Sequence, residues 1–273
     1  MTTSLDLDDN LLYPESDGKP MAESTEQYRW VVIIKENLEI LFANQPDVFI
    51  AADLFWYPVK VEAPPVPQQV PDVMVVFGRP KGMRRSYQQW KENNTPAQVV
   101  FEILSASNKT REGLEAMEFK FQFYDRYGVE EYYIYDPETF TLKGWQRRGA
   151  SLVAIQPISG WVSPRLGIRF EWQPGTELVL CRPDGRRFLS SVALEQQAEQ
   201  ERFRAEQERF RAEQERFRAE QERFRAEQER LRAEQAEQTI REAVPRLLAI
   251  GLSIEQVADS LGLPIATVQA IID

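Results

Sequence analysis

The chain reads Pro71-Asp72-Val73-Met74-Val75-Val76-Phe77 and, further on, Val99-Val100-Phe101-Glu102-Ile103-Leu104-Ser105, and these two stretches decide its fold. The first is apolar almost without interruption after Asp72, which predicts a strand buried on both faces. The second places Glu102 on one face of an otherwise apolar strand. Because an unpaired carboxylate is costly to bury, we expect a cation, a metal ion or a hydrogen-bonding network beside Glu102.

A helix is predicted after the second stretch, starting at a cap on Thr110 and running to about residue 127. Four of its residues recur at helical spacing and form one face: Met117, Lys120, Phe121 and Tyr124. Lys120 therefore lies in or beside a buried stripe. It either extends its ammonium to solvent past an apolar stem or faces the two acids.

The pattern of elements predicts an α/β fold with a mixed β-sheet flanked by helices. Residues 129–136 read as a strand, so strand, helix and strand form a right-handed parallel crossover. Residues 24–44 predict a first helix, which Ser24 or Thr25 can cap, and residues 48–57 predict a strand that is broken or bent. Shorter strands at 141–145, 152–157 and 168–172 predict hairpins at a sheet edge, and the core is expected to end near Leu189.

Composition limits the chemistry of the chain, which has no histidine and a single cysteine, Cys181. This excludes Ser-His-Asp and Cys-His triads, histidine-ligated zinc and an internal disulfide. Carboxylates and lysine remain, and carboxylates select hard cations such as Mg²⁺ or Mn²⁺. If Asp72, Glu102 and Lys120 meet, they predict a divalent-metal site.

Charge and hydropathy limit the classes of partner that the chain can have. A net charge of -10 argues against indiscriminate nucleic-acid binding. A loop rich in glycine, proline and bases is either a solvated loop or a contact to phosphate, through Arg79, Lys81, Arg84 and Arg85. No apolar run approaches the length of a membrane span, and no secretory signal is seen, so we expect a cytoplasmic protein with no membrane partner.

A heptad repeat dominates the second half of the chain. From residue 201 the sequence Glu-Arg-Phe-Arg-Ala-Glu-Gln occurs four times identically and once more with Leu231 in place of Phe. This predicts a helix roughly 50 Å long and a left-handed coiled coil. If Phe takes position d, then a is Gln; if Phe takes a, then d is Glu. We expect a homo-oligomer through residues 195–240, with a single exposed charged helix as the alternative.

Four segments follow from these patterns: an N-terminal arm at 1–24, a folded domain at 25–192, the heptad helix at 193–242 and a small tail at 243–273. The tail resembles a helix-turn-helix, with three short helices split at Gly251 and Gly262 and a cap at Ser253. Its last helix has no Arg, Lys or Asn to read base edges. We therefore expect a docking or dimerising tail.

The chain resembles the Uma2 family of restriction-endonuclease-like proteins in four features taken together. These are the two opening stretches, Lys120 with Tyr124, and the stretch Gly128-Val129-Glu130-Glu131-Tyr132-Tyr133-Ile134-Tyr135-Asp136-Pro137. That family belongs to the PD-(D/E)xK nuclease superfamily, and the resemblance covers roughly residues 25–190. It implies a restriction-endonuclease-like mixed sheet whose acids hold Mg²⁺ or Mn²⁺. Mapped by position, Asp72 and Glu102 correspond to the motif acids, and the resemblance implies that they are the metal ligands. The usual place of the motif lysine is occupied by Leu104, so the resemblance implies that Lys120 supplies it from the helix.

The resemblance also implies an activity, a metal-dependent endonuclease that hydrolyses phosphodiester bonds of DNA. Lys120 would orient the attacking water or neutralise developing charge, which makes Asp72, Glu102 and Lys120 the candidate catalytic residues. For the first-helix glutamate of many superfamily members the candidate is Glu26, with Glu36 and Glu39 as alternatives. The competing hypothesis is a catalytically inactive nuclease-like scaffold that assembles through its coiled coil.

Overall fold

The computed structural model describes residues 12–16, 18 and 22–272. The chain forms two compact units, Met1–Gln196 and Gln197–Asp273. Much of the predicted N-terminal arm lies outside the described residues. In its described part Tyr13 is buried, packs against the rings of Tyr57 and Trp90, and donates a hydrogen bond to the carbonyl of Val61.

Six strands form the central sheet of the first unit. The strands of this unit are β1 (Val48–Ala51), β2 (Trp56–Tyr57), β3 (Val73–Phe77), β4 (Tyr87–Gln88), β5 (Val99–Ile103), β6 (Glu131–Asp136), β7 (Thr141–Arg148), β8 (Ser151–Ala154), β9 (Arg169–Glu171) and β10 (Val179–Cys181). The central sheet has the order β1-β3-β5-β6-β7-β8. Only the step between β5 and β6 is parallel among these neighbours. The predicted mixed sheet and parallel crossover are therefore confirmed.

Two helices flank this sheet, and both begin at the predicted caps. Helix α1 is Thr25–Leu41, where the Ser24 side chain accepts from the backbone N–H of Gln27. Helix α2 is Arg111–Arg126, where Thr110 accepts from the N–H of Gly113. A Cβ at Gly113 would lie 2.1 Å from the carbonyl oxygen of Ser107, so only glycine permits this tight entry to α2.

The two helices cover opposite faces of the sheet. One apolar cluster joins α1 to Val99, Phe101 and Ile103, and the other joins α2 to Met74 and Val100. Glu102 shares the second face because side chains alternate along a strand. Helix α2 and Glu102 are thus placed on the same side of the sheet.

The predicted strand at 168–172 is present as β9, but its predicted placement was wrong. Residues 168–172 do not extend the sheet edge, because β9 pairs with β10 in a separate antiparallel ribbon. Phe170 in β9 is fully buried and stacks on Tyr133 at 4.5 Å between ring centroids. Burial of this aromatic residue places the ribbon on the face of the sheet rather than at its edge, whereas β7 and β8 do form the predicted edge hairpin.

The second unit is helical. Helix α3 is Ser191–Ala249, α4 is Ile254–Leu261 and α5 is Ile265–Ile272. The first of the three predicted tail helices is instead the end of α3, which continues through Pro245. Val244 is buried there with Val257 and Val268 in a small apolar core. This packing offsets the loss of the helical hydrogen bond that proline cannot donate. None of the described helices is both long and apolar enough to cross a membrane.

Candidate active site

The pairing of two strands brings the predicted acids together. β3 runs antiparallel to β5 with Val73 opposite Phe101, so the residues one step further, Asp72 and Glu102, lie at the same end of the pair. The backbone N–H of Ile103 donates to Asp72 Oδ2 at 2.6 Å. This bond fixes the Asp72 carboxylate against the end of β5.

Glu102 is almost completely buried, at 2% relative exposure, and both of its oxygens have partners from α2. Lys120 Nζ donates to Oε2 at 2.6 Å, and Tyr124 OH donates to Oε1 at 2.6 Å. Lys120 and Tyr124 stand at i and i+4, so one helical face delivers both donors. Of the two interpretations left open for Lys120, the structure has the lysine facing the acids; its Nζ also lies 3.4 Å from the carbonyl oxygen of Val70.

Burial and charge shift the acid-base properties of this cluster. Burial, with the neighbouring Glu102, raises the pKa of Asp72 to about 7. Burial opposes the charged form of Lys120, but Glu102 and Asp72 outweigh it and the pKa of Lys120 is raised. Burial and then Glu102 raise the pKa of Tyr124 well above its usual value, so Tyr124 is a neutral donor. The Tyr132 hydroxyl, also buried, has no hydrogen-bond partner among the described residues.

Mg²⁺ or Mn²⁺ fits this donor set. Asp72 and Glu102 carry hard oxygens. Burial first, and then the charge of Glu102, raise the pKa of Asp72, and a bound cation would favour its ionised form. A carboxylate offers about four lone-pair positions, so Glu102 keeps acceptor capacity beyond Lys120 and Tyr124. The described residues contain no group of three or more His, Cys, Asp or Glu that could hold a metal ion. Backbone carbonyls, water and a substrate phosphate would therefore complete the coordination.

Helix α1 contributes a residue that the sequence prediction missed. Gln27 is buried, and its Nε2 donates to the carbonyl oxygen of Ile103 at 3.0 Å. Glu26, the predicted helix acid, instead forms an exposed ion pair with Arg29 at 3.1 Å. The available signal was the stripe of Trp30, Ile34 and Leu38, on which position 27 falls by helical spacing while position 26 does not.

The two alternative helix acids also lie in other contacts. Glu36 pairs with Lys35 at 3.0 Å, and Glu39 pairs with Lys81 at 3.4 Å. No hydrogen bond or ion pair among the described residues joins either acid to Asp72, Glu102 or Lys120. The α1 contact with the end of β5 is therefore made by an amide rather than a carboxylate.

The basic loop lies at the far end of β3 from Asp72. Asp72 precedes β3 and the loop follows it, so five extended residues, roughly 17 Å, separate them. Arg79 and Arg84 both pair with Glu92 at 2.7 Å and are largely buried, which gives them a structural role. Arg85 is 81% exposed beside Glu15. The structure thus does not bring the predicted phosphate contacts to the acid cluster.

A second buried acid, Glu131, was not singled out from sequence. It accepts hydrogen bonds from Ser163 Oγ, from Tyr133 OH at 3.0 Å and from the backbone N–H of Arg165 at 2.8 Å. In the parallel ladder Glu131 lies beside Val99, on the face opposite Glu102. Its contacts hold the loop at 163–166 against the sheet, so its role is structural.

A cavity of about 340 Å³ lies between α2 and the residues that follow β5, and Asp72, Glu102 and Lys120 are not among its lining residues. Leu104, two residues beyond Glu102 on the same face, forms part of its wall together with Met117 and Phe121, which flank Lys120 on α2. Trp145 and Lys143 from β7 contribute the opposite side. The cavity therefore provides space beside Leu104, the position where the superfamily motif has lysine.

Comparison with known proteins finds one matching family model and a similar solved structure. A family model described as "Uma2: Putative restriction endonuclease" matches residues 18–179. A crystal structure described as a putative nuclease belonging to DUF820 from Anabaena variabilis ATCC 29413 is similar, with a TM-score of 0.40 and 14% sequence identity, over 59% of this chain and 90% of that chain. No curated protein matches the chain.

Proposed function

Because the chain belongs to the Uma2 family, we propose that residues 25–192 act as a metal-dependent endonuclease that hydrolyses phosphodiester bonds of DNA. The observation that carries the proposal is a buried glutamate, Glu102, held by Lys120 at 2.6 Å beside a second carboxylate, Asp72. A buried acid paired with a cation, beside a second acid whose pKa is strongly raised, is typical of a functional site.

In this proposal Asp72 and Glu102 hold Mg²⁺ or Mn²⁺. The bound ion would lower the pKa of a water molecule and stabilise negative charge on the phosphate. Tyr124 and Lys120 orient the Glu102 carboxylate, and the N–H of Ile103 orients Asp72. These contacts preorganise both acids on rigid elements before substrate binds.

Lys120 is the proposed third catalytic residue. Its ammonium has three donors, of which Glu102 takes one and the carbonyl of Val70 lies near another. The remaining N–H orients the attacking water or neutralises charge that develops on the phosphate. A raised pKa keeps Lys120 protonated at neutral pH, as this role requires.

A nuclease assay tests the proposal. Single- and double-stranded DNA and RNA are incubated with the full chain and Mg²⁺, Mn²⁺ or EDTA, beside Asp72→Asn, Lys120→Met and the control Lys35→Met. Lys35 lies on α1 and pairs with Glu36, away from the acids. We expect metal-dependent cleavage of DNA by wild type and the control and none by the two site variants. Cleavage unchanged by Lys120→Met would contradict the assignment.

One observation favours a second candidate, the non-catalytic scaffold. Both oxygens of Glu102 already have donors, so within the described residues the Glu102–Lys120 pair is complete without a ligand. On this hypothesis the pair is structural and the domain serves assembly. Mn²⁺ titration followed by electron paramagnetic resonance discriminates the two, because the scaffold predicts no binding that depends on Asp72.

We extend the proposal to partners. DNA is the substrate, and Lys81 and Arg85 remain the candidates for contacts to phosphate remote from the cleaved bond. They are more exposed than Arg79 and Arg84, which are largely buried in ion pairs with Glu92. Copies of the chain associate through residues 195–240. Salt dependence of DNA binding by an Arg85→Ala variant tests the first statement, because loss of one phosphate contact reduces the slope of affinity against salt by about one.

A further inference from the structure

Helix α3 carries an apolar stripe that none of the described residues covers. Its five apolar residues are between 46% and 65% exposed: Phe203, Phe210, Phe217, Phe224 and Leu231. They recur every seven residues, so they follow a left-handed seam along the helix. A seam of this kind becomes buried when a second helix with the same period packs against it.

The flanking residues assign the heptad positions. With Phe203 at d, position a is Gln207, e is Arg204 and g is Glu206. With Phe203 at a, position d would be Glu206, which would place like charges face to face inside the interface. The assignment with phenylalanine at d and glutamine at a is therefore the one that can pair.

Charge on the flanks then selects the orientation. In a parallel pair each g residue meets the e residue of the next heptad in the partner, so Glu206 meets an arginine at the position of Arg211. In an antiparallel pair g meets g and e meets e, which sets glutamate against glutamate and arginine against arginine. The same signs recur in all five heptads, so every heptad favours the parallel arrangement.

Ion pairs within one chain leave the arginines at heptad position e available to a partner helix. Arg230, at position c, pairs with Glu227 and Glu234 of its own helix at 3.1 and 3.4 Å. The e-position arginines have no ion pair with any described residue of their own chain: Arg204, Arg211, Arg218, Arg225 and Arg232. A partner helix with glutamate at g supplies the missing acids, and two of these glutamates, Glu227 and Glu234, are shared with Arg230 of their own helix.

Overlap of the stripes selects the register. Because the heptads are nearly identical, a partner could slip by seven residues, but each slip leaves one d residue of each chain exposed again. Full overlap also pairs Leu231 with Leu231 of the partner subunit. The arrangement that buries all five d residues is the one in register.

We propose that two copies of this chain pair through α3 as a parallel, in-register coiled coil with phenylalanine at d and glutamine at a. Parallel pairing attaches both nuclease-like units at the amino-terminal end of the paired helices. If the proposed nuclease function holds, two copies of the Glu102 site then serve one nucleic-acid molecule. The pairing itself does not depend on that function.

Disulfide trapping tests orientation and register together. Gln207→Cys places a thiol at an a position near the start of the repeat, and Ala205→Cys places one at f, on the opposite side; the native Cys181 is buried. Under mild oxidation we expect Gln207→Cys to give a disulfide-linked dimer and Ala205→Cys to give none. Light scattering of wild type should give twice 31.7 kDa. A monomer mass, a trimer mass, or a dimer mass without trapping by Gln207→Cys would overturn the proposal.

Charge reversal tests the proposed cause. Replacing the five e-position arginines by glutamate should weaken dimerisation at least about tenfold, and mixing this variant with a chain whose g glutamates are replaced by arginine should restore it. Unchanged self-association of the reversed chain would refute the role of the e and g charges. None of these measurements uses cleavage, so failure of this inference is distinguishable from failure of the nuclease proposal.

Discussion

Replacing Lys120 by methionine offers the deepest test of the acid cluster, because Glu102 depends on its ammonium. The substitution keeps most of the apolar stem but removes the charge that contacts Glu102 Oε2 at 2.6 Å. Glu102 is then left ionised at 2% exposure with only the Tyr124 hydroxyl as a described partner. Removing one partner of a buried ion pair costs about 3–5 kcal/mol.

The expected loss lies at the lower end of that range, about 3 kcal/mol, because the Lys120 side chain is 22% exposed and Tyr124 remains. For a domain of this size it corresponds to a fall in Tm of roughly 6–12 °C. The loss of stability should grow as pH rises. A buried carboxylate without its counter-ion is stable when protonated, as it is at low pH, and becomes costly to bury when it ionises at high pH.

Thermal unfolding followed by tryptophan fluorescence measures this effect selectively, because all six tryptophans lie in the first unit. Glu102→Gln and the double variant complete a mutant cycle, in which the double variant should be less destabilised than the sum of the two single variants. A Tm for Lys120→Met within 2 °C of wild type at pH 8 would refute the reasoning, since the ammonium would then not compensate Glu102.

Three further predictions concern neighbouring residues. Because the pKa of Asp72 is raised to about 7, ionising Asp72 costs folding stability as pH rises from about 4 to above 7. The Asp72→Asn variant should therefore unfold at a higher temperature than wild type at pH 8 but not at pH 4. Mg²⁺ should raise the Tm of wild type and leave the Tm of Asp72→Asn unchanged. Leu104→Lys in the Lys120→Met background should restore part of the cleavage, since the adjoining cavity of about 340 Å³ has room for the longer side chain; no recovery in a variant that folds would show that the helix position is required. Gln27→Ala should destabilise the first unit by about 1–3 kcal/mol because it removes the buried donor to the Ile103 carbonyl; urea unfolding measures it, and a change below about 0.5 kcal/mol would contradict the contact's role.

A buried acid that needs a cation is visible in the sequence, but the identity of its partners is not. Alternation along β5 places Glu102 on an apolar face, and helical spacing places Lys120 and Tyr124 on one stripe. Each inference needs only residues within one element. That the two elements meet with Glu102 between Lys120 and Tyr124 depends on how the parallel crossover packs.

The sequence by itself determined the buried strands, the caps of α1 and α2, the parallel crossover and the heptad helix, because each leaves a local period or a turn residue. Only the tertiary structure decided that Gln27 rather than Glu26 reaches β5, across 76 positions of sequence. It also decided that Arg79 and Arg84 meet at Glu92, and that β9 and β10 form a separate ribbon. Periodicity reports which side of an element is buried, whereas the partner of a charged or amide group is set by contacts between distant segments.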